Sequence, residues 1–183
     1  MKILGLLLSL LVLIGLQASA AEGRVLLYGY VVEGNYATVL DEKKPTEKAL
    51  PLTDVDVVIL VNGKQMKAVV NRQTGFYSLV LPAGVDYRIR FSKAGYLPKI
   101  FDIRASEIPK KEFDEAFKLF TDVSLFPETD TATADLVKNI VTARCHFDAK
   151  RERLSWDLAH AVDSFERFMT LADPDRMALR LGN

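Results

Sequence analysis

The chain has 183 residues, enough for one ordinary domain with an extension. Apolar residues make up 49% and charged residues 26%, a globular composition that excludes a wholly disordered chain. Lys plus Arg and Asp plus Glu both number 24, and that balance argues against a broad electrostatic grip on nucleic acid or acidic lipid.

The first predicted element is a leader. Lys2 opens it, residues 3–15 form an apolar run rich in Leu, and Ala18-Ser19-Ala20 supplies a small-residue cleavage pattern. The run is short for a membrane span. A signal peptide over residues 1–20 is therefore expected, with cleavage before Ala21 and no transmembrane segment left afterwards. Loss of Lys2 leaves a net charge of about −1 at neutral pH. No cysteine stands at the cleavage site to carry a lipid, so the expected address is periplasmic or extracellular. Cys145 is the only cysteine, which excludes an intramolecular disulfide and leaves the core to hold the fold.

Residues 24–33 are rich in Val, Leu and Tyr and read as the first strand, with Gly29 marking a bulge or a close backbone approach. Residues 35–53 turn charged and lose any apolar period. They are expected to be an exposed insertion that re-enters the fold at Leu50-Pro51-Leu52.

Residues 55–101 organise the rest. Val55, Val57, Ile59 and Val61 share one strand face, and the partly apolar opposite face with Val58 and Leu60 suggests a central or doubly covered strand. Asn62-Gly63 is a strong hairpin signal, because a type I′ turn needs positive φ at both central residues. Residues 66–70 are the expected return strand. Tyr77, Leu79 and Leu81 alternate with polar or smaller neighbours up to Pro82, and Pro82-Ala83-Gly84 turns the chain. Tyr87, Ile89 and Phe91 then alternate with Arg88, Arg90 and Ser92. A further strand follows within residues 96–103. Short strands recurring at roughly 8–12 residues predict an antiparallel sandwich or barrel.

Residues 107–116 read as a charged linker with a helical turn. Phe117, Leu119, Thr121, Val123 and Leu125 then share the face of one expected strand, and residues 127–133 form a polar break. Val141, Ala143, Cys145 and Phe147 predict one more strand. Ser155 is the expected N-cap of an amphipathic helix. Its apolar stripe is Leu158, Ala161, Val162, Phe165, Phe168 and Met169, with His160, Asp163, Ser164 and Arg167 opposite.

Thr74-Gly75-Phe76-Tyr77-Ser78-Leu79-Val80-Leu81-Pro82-Ala83-Gly84, followed by Tyr87-x-Ile89-x-Phe91-x-Lys93-x-Gly95-Tyr96, resembles the carboxypeptidase regulatory-like domain. That family is also called transthyretin-like or prealbumin-like. The residue the family usually carries between Thr74 and Gly75 is missing, a departure confined to a turn. The resemblance covers about residues 24–103. It implies a mainly β, antiparallel Greek-key β-sandwich over residues 21–104, followed here by a C-terminal strand and amphipathic helix in an extension over residues 105–183. It also implies a structural, adhesive or ligand-presenting role in a cell-envelope protein, because domains of this type are not the catalytic part of carboxypeptidases.

Chemical signatures are sparse. His146 and His160 are the only histidines, and no zinc-peptidase spacing includes them. Cys145 and His146 are adjacent on a predicted strand, so their side chains point to opposite faces and form no nucleophile–base pair. The scattered carboxylates lack calcium-loop spacing. No catalytic, cofactor-binding or metal-binding residue is assigned. The expected function is that of an exported, non-enzymatic β-sandwich with a structural or protein-binding role, its partner another envelope protein. The alternative is a carbohydrate- or small-ligand-binding module with a glycan partner, for which Tyr36 and Tyr96 are the candidate contact residues.

Overall fold

The computed structural model describes residues 23–34, 50–68, 70, 73–114, 116–128 and 131–172. The expected leader, Tyr36 with most of the charged insertion, and the last eleven residues lie outside these.

The described residues form two β-sheets packed face to face. The smaller is built on β1 (Arg24–Glu33), flanked on one side by β4 (Phe76–Pro82) and on the other by β7 (Ala116–Phe120) and β8 (Val123–Leu125). The larger runs β10 (Arg153–Trp156), β9 (Val141–Asp148), β6 (Lys99–Arg104), β5 (Asp86–Ser92), β2 (Asp56–Val61) and β3 (Lys64–Ala68). Alternation sets which side chains go inside. Val25 and Leu27 of β1, Tyr77, Leu79 and Leu81 of β4, and Phe117 and Leu119 of β7 meet Val57, Ile59, Tyr87, Ile89, Phe91 and Ile103 of the larger sheet in one core. The rings of Tyr77 and Phe91 touch across the gap at 5.0 Å, and those of Phe117 and Phe147 at 5.9 Å.

Most pairings are antiparallel, as the sequence predicts, but β1 runs parallel to β7 and β8, and β6 parallel to β9. The connections explain this. After β6 the chain crosses to the small sheet through two 3-10 turns, at Ala105–Glu107 and Lys110–Glu112, and enters β7 beside the start of β1. It returns through a short helix, α1 (Thr131–Val137), to enter β9 beside the start of β6.

Asn62 and Gly63 both have positive φ, 48° and 72°, which closes the β2–β3 hairpin as the sequence predicts. Gly29 is a close approach. A Cβ there would lie 1.9 Å from the Thr121 carbonyl oxygen, which folds inward where β7 breaks before β8. Tyr77 Oη donates to that oxygen at 2.7 Å, and Asp122 Oδ1 accepts the Tyr30 N–H at 2.9 Å in place of a ladder bond. The register with β1 is the same on both sides of the break.

The C-terminal helix, α2 (Leu158–Ala172), departs from the sequence expectation in two ways. Ser155 lies in β10, paired with His146, so the cap is Asp157, whose Oδ1 accepts the His160 N–H at 2.9 Å. The buried face is also rotated from the expected stripe. Phe168 and Met169 are buried as expected, but Ser164 is buried with them while Leu158 and Val162 are 75% and 60% exposed. His160 accounts for the rotation, because its ring turns inward to the main chain of β9. With α1, this face forms a second apolar cluster of Leu97, Phe126, Val137, Phe168 and Met169 at one end of the sheets. No helix among the described residues is long and apolar enough to cross a membrane.

Candidate functional site

In a sheet with one face on the core, the other face normally carries polar side chains. The small sheet does not follow that pattern. Its register sets Phe76 beside Tyr30, then Ser78, Tyr28 and Phe120 in a row, then Val80, Leu26 and Lys118, then Pro82, Arg24 and Ala116. Val80 is 59% exposed and Phe120 57%, with Tyr30 and Phe76 near 40%. The rings form two edge-to-face pairs, Tyr30 with Phe76 at 5.4 Å and Tyr28 with Phe120 at 5.6 Å. Such pairs hold their own geometry without a covering layer. From strand spacing and rise, the face measures about 20 Å along the strands and about 10 Å between the outer strand axes. Arg24, Lys118 and Asp122 supply charge at its margins.

Of the two tyrosines that the sequence nominates for ligand contact, Tyr36 lies outside the described residues and Tyr96 belongs to the β5–β6 connection, not to this face. Tyr96 is half-buried beyond β5, where its main chain bridges to Pro127 and its hydroxyl donates to Glu33 Oε1 at 3.2 Å. Burial, and then the Glu33 carboxylate, push its pKa up. Tyr96 lines a cleft of about 330 Å³ with Asp56, Arg90, Lys93, Glu128 and Lys138. Tyr28 and Tyr30 are the tyrosines on the aromatic face. Their union with Phe76 and Phe120 depends on pairings between distant segments.

Tyr77 and Tyr87 point inward, as expected, and their hydroxyls are spent on main-chain carbonyls of Thr121 and Pro82. Cys145 is fully buried, and burial pushes its thiol up to about 12, which keeps it protonated and inert. His146 is its neighbour along β9, on the opposite strand face.

A serine–histidine contact does occur. Ser164 Oγ is 3.1 Å from His160 Nε2 and 3.4 Å from Nδ1, beside a cavity of about 300 Å³ between α1 and α2. The Val141 carbonyl, 3.0 Å from Nε2, accepts only, so Nε2 carries the proton and has no free lone pair for the serine hydroxyl. The longer approach to Nδ1 makes an anchoring contact, and the pair ties α2 to β9. No group of three His, Cys, Asp or Glu among the described residues is placed to hold a metal ion.

On the outer face of the large sheet, Arg88 binds Asp102 through two nitrogens at 2.8 and 2.9 Å. That hydrogen-bonded carboxylate pushes the guanidinium pKa further up. The chain matches no family model and no curated protein sequence.

Proposed function

We propose that this chain is an exported, non-enzymatic β-sandwich of the carboxypeptidase regulatory-like type that binds another protein of the cell envelope through the outer face of its small sheet. The observation that carries the reading is the set of three exposed rings, Tyr30, Phe76 and Phe120, with exposed Val80 and half-buried Tyr28 and Leu26 on that face. A contiguous apolar patch of this kind on a soluble domain marks an interaction surface more often than an accident of composition. The Greek-key, prealbumin-like arrangement is supported by the strand order, in which β1 pairs with β4 and not β2, while β2, β3, β5 and β6 assemble in the other sheet. The leader composition supports export.

The test is site-specific photocrosslinking in the native envelope. A crosslinker at position 120 or 80 is expected to trap one discrete partner. With the crosslinker at position 80, the pair Phe76→Ser and Phe120→Ser should abolish the adduct with an unchanged Tm, while a crosslinker at position 162 of α2 traps nothing. Equal labelling from positions 80 and 162 would refute the reading.

A second reading, a carbohydrate- or small-ligand-binding module, is favoured by one observation. The cleft beside Tyr96 gathers Asp56, Arg90 and Glu128, whose side chains take part in no ion pair or side-chain hydrogen bond among the described residues.

A further inference from the structure

We infer that the cleft beside Tyr96 is a saccharide-binding site, an inference that rests on the second reading and is independent of the aromatic face. The cleft is built from the large sheet, the β5–β6 connection, the segment at Glu128, and α1 with Lys138 just after it. Asp56 and Arg90 stand on the outer face of the large sheet, where Asp56 pairs with Ser92 and Val58 with Arg90, so the two charges are diagonal neighbours. Such neighbours are within reach of each other through long side chains. Yet neither they nor the Glu128 side chain takes part in an ion pair or side-chain hydrogen bond among the described residues. The other two cations are occupied. Lys93 Nζ donates to the Thr53 carbonyl at 2.7 Å, and Lys138 pairs with Asp135 at 2.8 Å.

The apolar part comes from one stretch of chain. Ala94, Tyr96 and Pro98 belong to the β5–β6 connection, which the segment around Glu128 flanks. That stretch is fixed in place. The Glu128 N–H donates to Gly95 O at 2.9 Å, Leu97 N–H donates to Phe126 O at 2.8 Å, and the Tyr96 hydroxyl is held by Glu33. The cleft thus offers one apolar stretch, two free carboxylates as acceptors and one free guanidinium as a planar donor fork.

A pyranose has the complementary layout. Its C–H face is apolar, and its rim carries vicinal hydroxyls that both donate and accept. Acids and bases are equal in number around the cleft, which disfavours a multiply charged anion such as a phosphate. At about 330 Å³ the cleft sits at the small end of ligand pockets, a size for one or two sugar rings.

The experiment is a titration of the 15N-labelled protein with cellobiose, N,N′-diacetylchitobiose and glucuronic acid, read by amide shifts. Saturable shifts of the Ser92, Ala94, Tyr96 and Glu128 amides with at least one of these sugars are expected. Arg90→Ala, at an exposed position that leaves the core intact, should weaken binding by about tenfold or more, and Tyr96→Ala likewise. Val162→Ser on α2 should change nothing. Shifts with glycine or glutamate but with no sugar would overturn the saccharide assignment and leave the small-ligand reading standing. No shift with any probe up to about 10 mM, a concentration at which even millimolar affinity is visible, would overturn both.

Discussion

Gly29 and Thr121 show how one atom's absence organises a strand pair. The Thr121 carbonyl occupies the space that any side chain at position 29 would need. Gly29→Ala is expected to cost about 3 kcal/mol or more, because the clash is with main chain that has no room to retreat; urea unfolding measures it. Tyr77→Phe removes the donor that satisfies the same carbonyl and should cost about 1–3 kcal/mol. The sequence indicated a close approach at Gly29 but not its partner, which lies 92 residues further along the chain at the neighbouring Tyr30–Asp122 contact. Lys99 makes a different residue-scale prediction. The residue keeps partial exposure, but its ammonium end is enclosed, with Nζ 5.2 Å from the centre of the Phe126 ring. Burial lowers its pKa to about 8, against about 10.4 in an unfolded chain. Between those values the unfolded chain holds more protons, so stability rises with pH over that window, and below it the full penalty applies. At about 1.36 kcal/mol per pH unit the penalty is bounded at roughly 3 kcal/mol. Lys99→Met should therefore be more stable than the parent at pH 7 and lose the upward slope, as urea titrations at pH 7 and pH 10 would record.

At the scale of elements, α2 is the instructive case. Its composition and period predict a helix of nearly this extent but not its buried face, because periodicity assigns polar residues to solvent. His160 and Ser164 are polar and inward, since the Val141 carbonyl gives the imidazole a partner that the sequence does not advertise. The cap shifted for a related reason. Arg153–Trp156 forms a four-residue strand, too short to carry its own alternation signal, and it takes Ser155 with it. α1 lies in a polar stretch without an apolar period, and among the described residues its deeply buried apolar anchor is Val137. Asp157→Ala is expected to lower the Tm and speed amide exchange across the first turn of α2. The Asp157 pKa is depressed, first by the His160 N–H it accepts and then by nearby positive charge. Its contribution is therefore complete above the ordinary carboxylate range and is lost as pH falls through the depressed value. Asp157→Asn should keep much of the cap at neutral pH and show no such acid step.

On the scale of the whole molecule, alternation in the sequence correctly sorted inside from outside for β2, β4, β5 and β7. What it could not supply was which strands become neighbours. The aromatic face exists only because β4, β1 and β7 are adjacent, and the cleft only because the segment around Glu128 returns beside Tyr96. The main core likewise draws on both sides of residue 104, with Phe117, Leu119, Val123 and Leu125 packed among the strands that precede it. A chain ended after Arg104 is expected to show no cooperative urea transition, which circular dichroism would check directly. The position of β1 carries one further consequence, and it concerns time. The strand made first is central to its sheet, and its partners are β4 and then β7 with β8, the last of them encoded near residue 125. Until those segments emerge, Val25, Leu27 and Val31 have nowhere to be buried. Such long-range pairing makes folding slow. Under the export we propose, that delay would be useful: the chain would stay threadable until most of its length had been synthesised and would close only when β1 found both neighbours.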